Sequence, residues 1–172
     1  MLKTNSSKTI CFTGHRPNKL PWHYDETKES CILFRNYLKS VLIKAIENGY
    51  TNFISGMAIG VDTIAAELVI ELRKTYKSVT LQGAIPCPGQ ESPWPQKAQL
   101  RYQKLLEQCD SVHYVCDHYT DECMNKRNLY MVENSDVVIA VWNGLPSGTA
   151  NTVQFAKEHG CKIKIINPND FA

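Results

Sequence analysis

No stretch of the 172-residue chain holds 18 consecutive apolar residues, so no segment reads as a membrane-crossing helix. The opening residues, "MLKTNSSKTICF", lack the apolar core of a secretory signal, and a cytoplasmic location with no membrane partner is expected. Charge of one sign is equally sparse. The 19 basic and 17 acidic residues leave a formal net charge of +2 and form no run of five like charges. A duplex-binding surface usually shows a basic stripe, so this pattern disfavours nucleic acid as a partner. Seven cysteines, an odd number, form no CxxC pair. They are expected to be reduced thiols acting as small apolar residues. His113, Cys116, His118 and Cys123 match no standard zinc spacing, and no cysteine has a base that the sequence places beside it. No metal and no cofactor are expected. Repeats, low-complexity tracts and linkers are also missing, which predicts a single domain over 1–172.

What remains is an alternation of short β-rich runs with longer runs of helical period, the pattern of a parallel sheet covered by helices. Strands are predicted at 9–14, 52–56, 78–85, 111–115, 136–142 and 162–166. Helices are predicted around 27–48, 62–76, 96–108, 124–133 and 149–159. In the first helix, Ile32, Leu33, Tyr37, Leu38, Val41, Leu42 and Ala45 recur at steps of three and four and define an apolar face. Gly49 and Gly160 stand where helices stop. Apolar centres such as "VVIAV" suit strands buried on both faces. The expected fold class is α/β: a Rossmann-like doubly wound domain, with a mostly parallel sheet of about six strands and helices on both faces.

In such a sheet, ligands bind outside the carboxyl ends of the strands. The segments after the first five strands are rich in glycine, polar groups and turn residues, whereas those at the opposite edge are plain connections. The loop "GMAIGVD" is neither the GxGxxG fingerprint nor the phosphate loop that ends in GK[ST]. Gly56 and Gly60 permit close backbone approach to a ligand, and Asp62 lies near a helix start. Turn glycines and Asp62 as an N-cap fit the same pattern. In "LPSGTANT", Ser147, Gly148, Thr149 and Thr152 offer hydroxyls and N–H groups at a helix start, the setting a phosphate prefers; a capped helix is the plainer reading. Gly14, His15 and Arg16 follow the first strand, where the Arg fork suits phosphate or carboxylate and a surface ion pair is the alternative. Arg127 and Asn128 lie early in a helix, where a cation opposes the helix dipole and so points to an anion nearby. Trp94 and Tyr102 can stack on a base or simply pack.

The ordered blocks "CFTGHRP", "SGMAIGVD", "AIPCPGQE", "RYQKLL", "VHYV", "MNKRNLYMVENSD" and "SGTANTVQFA" resemble the SLOG superfamily, and most closely its YpsA-like branch. The resemblance implies a nucleotide or nucleotide-derived small molecule, such as ADP-ribose, as partner. Its LOG-type members cleave nucleoside monophosphates at the N-glycosidic bond, and Arg127 falls where their catalytic Arg lies. At the positions of the LOG glutamates this chain carries Asn151 and Thr152, and N-glycosidic cleavage needs a carboxylate. The first expectation is therefore nucleotide binding or sensing. The alternative is a LOG-type hydrolase in which Asp62 is the acid and Arg127 holds phosphate. A third reading, drawn from resemblance to DprA proteins, is a protein-interaction or single-stranded DNA module. Self-association is left open.

Overall fold

The structure is a computed structural model that describes residues 8–172. Six strands form one parallel sheet: β1 (Lys8–Gly14), β2 (Tyr50–Ser55), β3 (Thr80–Ile85), β4 (Ser111–Tyr114), β5 (Val137–Val141) and β6 (Lys162–Ile166). Their order is β4-β3-β2-β1-β5-β6. The chain therefore steps outward from β1 to β4, crosses back, and continues on the other side of β1. That reversal opens a crevice between the carboxyl ends of β1 and β5, where Gly14 pairs in register with Val141.

Five helices join the strands: α1 (Glu29–Glu47), α2 (Val61–Arg73), α3 (Gln96–Glu107), α4 (Cys123–Glu133) and α5 (Gly148–Glu158). Strand alternation decides which face each covers. Ile10, Phe12, Phe53 and Ile139 point into the larger core with α1, α2 and α3. Cys11, Ile54, Ala84 and Val138 point the other way, against Met131 and Val132 of α4 and Ala156 of α5. The expected doubly wound α/β architecture is thus the observed one, with every strand pair parallel.

One sequence expectation is corrected. The buried stripe of α1 is Cys31, Phe34, Leu38, Leu42 and Ile46, while Ile32, Leu33 and Tyr37 are exposed. Apolar residues surround much of this helix, so steps of three and four can be threaded through more than one face. Trp22 and Phe171 select the true face by packing on Phe34, the first stacked at 5.0 Å and the second edge-on at 5.7 Å. Phe171 belongs to a short 3-10 turn at Pro168–Phe171, and a second such turn spans Pro17–Lys19. Neither turn carries a periodic signal. Gly49 and Gly160 end α1 and α5 at φ +92° and +68°, as expected of helix stops. Among the described residues no helix is long and apolar enough to cross a membrane.

Candidate functional site

The loops after β1, β2 and β5, together with α4, enclose a cavity of about 410 Å³ at the strand reversal, a volume within the range of small-ligand sites. Gly14, His15, Arg16, Asp62, Arg127, Asn128, Ser147, Gly148 and Thr149 line it. Gly56, Gly60 and Thr152 do not.

Asp62 is the second residue of α2, not its cap; the N-cap is Gly60. Its Oδ2 accepts from the Ala58 N–H at 3.3 Å, while Oδ1 is buried with no partner among the described residues. Burial pushes the Asp62 pKa up, and the charges of Arg127 and Arg16 pull it back. Arg127, in the second turn of α4, is only 4% exposed. Its Nη1 donates to Gly56 O at 2.7 Å and Ala84 O at 3.4 Å, and its Nε to Asn128 Oδ1 at 3.0 Å. Its Nη2 meets Met124 Sδ at 3.6 Å. Burial lowers the Arg127 pKa, Asp62 opposes this, and Arg16 adds to it. Nη1 of the fork thus braces one carbonyl of the glycine loop and one of β3.

The three glycines serve close packing between loops. A Cβ on Gly14 would lie 2.5 Å from Val61 Cβ, and one on Gly56 would lie 2.6 Å from Arg127 Nη1. Gly60, at φ +110°, would collide with His15 O at 2.8 Å. Gly60 also faces a second, more apolar cavity of about 640 Å³ lined by Trp22, Tyr24 and Ile59. No residue is common to the linings of the two spaces.

At α5, Ser147 is the N-cap, its Oγ accepting from Ala150 N at 3.2 Å. Thr152 is fully buried and donates to Gly148 O at 3.2 Å, so its hydroxyl serves the helix. The N–H groups of Gly148 and Thr149 have no acceptor among the described residues and begin α5 at the cavity. His15 ties the rim together. Its N–H donates to Val141 O at 3.3 Å, and its Nε2 accepts from Asn143 N at 3.2 Å. Burial lowers the imidazole pKa, opposed by the Asn143 side chain and assisted by the Lys19 charge.

Sequence reasoning missed Asn18 and Lys19, which the 3-10 turn brings to the cavity beside Arg16. Neither Arg16 nor Lys19 forms an ion pair among the described residues. With Arg127 they set three cations against the single carboxylate of Asp62 around one small space. Such a space attracts anions. Trp94 and Tyr102 do not join it; they pack edge to face at 5.5 Å against the larger core.

Comparison with known proteins agrees with this architecture. The profile described as the YspA SLOG family matches residues 10–171. The SPbeta prophage-derived protein YoqJ of Bacillus subtilis is 29% identical over 70% of this chain and 81% of its own. A UPF0398 protein of Halalkalibacterium halodurans is 25% identical over 95% of this chain and 89% of its own. Among solved structures, DNA processing protein A of Helicobacter pylori, described with its single-stranded DNA binding mode, superposes with a TM-score of 0.62 at 19% identity. The same protein of Streptococcus pneumoniae also gives 0.62, at 18% identity. The present chain spans 66% and 51% of those two solved chains.

The expectation that disfavours nucleic acid is corrected by this finding, because a protein sharing the fold binds single-stranded DNA. The sequence carries no linear run of basic residues. Here Arg16 and Lys19, from one segment, meet Arg127, from a distant one, only after folding.

Proposed function

The chain belongs to the YspA SLOG family, and from that membership and the rim geometry we propose that it is a cytoplasmic nucleotide-binding or nucleotide-sensing protein. The ligand's phosphate lies against the Gly148 and Thr149 N–H groups with Arg16 and Lys19, and its sugar hydroxyls face Asp62. A helix start supplies oriented N–H donors and a favourable dipole to a phosphate. The Asp62 carboxylate has an unused acceptor that a ribose hydroxyl satisfies. The observation that supports this best is the excess of unpaired cations beside the open start of α5. ADP-ribose and related nucleotides are the class to test. Isothermal titration against AMP, ADP, NAD and ADP-ribose checks it; saturable binding of at least one is expected, and no heat with any of them, for folded protein, sinks the reading.

A second reading follows from the likeness to DNA processing protein A: the same cations hold the phosphate backbone of single-stranded DNA. Fluorescence anisotropy with a labelled oligonucleotide separates the two. Backbone binding weakens steeply with added salt, since counterions are released on association. A mononucleotide site saturates with free nucleotide and leaves the oligonucleotide unbound.

A further inference from the structure

The second cavity, of about 640 Å³, has no part in the proposed ligand site and shares no lining residue with it. Its volume is that of a small-molecule site. Side chains of α1, α2 and α3 wall it, together with the turns that run from Pro17 to the start of α1. Within those turns Trp22 is buried, Tyr24 is 66% exposed, and both line the cavity. His23 between them lies at φ +51°, a left-handed conformation uncommon outside glycine, and the two rings reach different depths of one space. Ile59, Ile64, Pro95 and Ala98 add apolar wall.

Its charge is balanced, unlike that of the first cavity. Three carboxylates, Asp25, Glu26 and Glu67, line it with three cations, Arg35, Lys97 and Arg101. Arg35 Nη1 donates to Glu26 Oε1 at 3.4 Å and to Glu67 Oε2 at 3.1 Å. Arg101 is clamped between the same two glutamates. Its Nε donates to Glu67 Oε1 at 2.6 Å, its Nη2 to Glu67 Oε2 at 2.9 Å and Glu26 Oε1 at 3.0 Å, and its Nη1 to Glu26 Oε2. These bonds use donors in the guanidinium plane, so what Arg101 has left for a ligand is chiefly its flat face, the surface on which aromatic rings stack. Thr63, which is buried, donates its hydroxyl proton to Ala58 O at 2.8 Å and keeps lone pairs for a ring N–H.

We propose that this cavity is a second binding site, for an uncharged aromatic heterocycle of nucleobase size. The ring stacks on the guanidinium face of Arg101, lies against Ile59 and Ala98, and donates an N–H to Thr63. Tyr24, whose ring is largely exposed, covers its outer edge. A charged ligand finds no surplus of opposite charge here, and an aliphatic one leaves the guanidinium face unused. The site stands on its own lining residues and does not depend on nucleotide binding at Gly148 and Thr149.

The test is an amide NMR titration of the full chain with adenine near neutral pH, where the base is uncharged. Saturable shifts are expected at the amides of Ile59, Thr63 and Ala98, with those of Gly148 and Thr149 unmoved. Ala98→Phe, which fills the space from α3, should abolish the shifts while keeping its far-UV circular dichroism. Arg101→Lys keeps the charge but not the flat face and should weaken binding about fivefold. Cyclohexanol, a ring without a π face, should not saturate the site. No shift with adenine up to its solubility limit overturns the proposal, as do shifts confined to Gly148 and Thr149. So does an equal response to cyclohexanol, or wild-type affinity in Ala98→Phe. The comparison of adenine with cyclohexanol on the wild-type chain decides the matter even if a variant fails to fold.

Discussion

Arg127 and Asp62 meet at the absent side chain of Gly56: Nη1 of one and Oδ2 of the other lie 2.6 and 2.8 Å from the point where its Cβ would stand. The glycine keeps two buried, oppositely charged groups close without a direct ion pair between them. Arg127 also holds the Gly56 carbonyl, so one residue fixes the loop and one side of the cavity together.

Replacing Gly56 by Ala is therefore expected to destabilise the fold by about 1–3 kcal/mol through overpacking. Urea denaturation measures this. A variant as stable as the wild type would show that the Arg127 contact is loose.

Asp62 sets a pH dependence of definite sign. Its folded pKa is raised above the ordinary 3.8, so its stabilising contribution is complete below that value and is lost as pH rises through the folded pKa. The stability of Asp62→Asn relative to wild type should accordingly grow as pH rises above about 3.8. Thermal melts across pH check it; parallel curves would refute the assignment. If the chain is a hydrolase with Asp62 as the acid, the same variant abolishes release of free base in product chromatography.

His15 has the opposite signature. Its folded pKa is depressed, so stability is lost as pH falls below about 6.5, because burial disfavours the charged ring and the Lys19 charge adds to this. NMR titration of the imidazole is expected to give a midpoint below that of a free histidine, and His15→Gln should remove the acid sensitivity of this loop.

Arg16→Ala and Lys19→Ala test the ligand reading. Charge-assisted hydrogen bonds contribute about 1.5–3 kcal/mol, so each change is expected to weaken nucleotide binding roughly tenfold or more. Both side chains sit on a loop outside the core, so melting temperature should hold. Unchanged affinity in the double variant would remove phosphate from this rim.

The face of α1 gives a fifth test. Leu38→Ala should cost about 2–5 kcal/mol, and Leu33→Ala about 0.5 kcal/mol or less. Both leucines belong to the apolar face expected from the sequence, and only tertiary packing tells them apart.

That contrast marks where sequence reasoning reaches its limit. The order of strands and helices was legible because β-branched runs and helical periods are local signals, and Gly49 and Gly160 punctuate them. The lining of the cavity was legible in part: Gly14 and Ser147 follow strands and line it, whereas Gly56 follows a strand and does not. Lys19 was not, because a 3-10 turn without periodicity brings it to the cavity. The interior placement of Arg127 was also hidden: a helix-dipole argument treats it as surface, whereas the acceptors that bury it come from β3 and the loop after β2. Ser147 and Thr152 were correctly placed near a helix start, but the spacing of their hydroxyls could not show that both serve the helix itself.

The contact between Gly60 and the backbone of His15 has a consequence for anyone who redesigns this protein. Position 60 tolerates no graded series of substitutions, because the smallest side chain already collides with a main-chain oxygen. Any reshaping of the cavities must be made around it, through Ala58 facing one chamber or Ile59 and Thr63 facing the other. The two linings share no residue, so a substitution at one of these positions acts first on its own chamber.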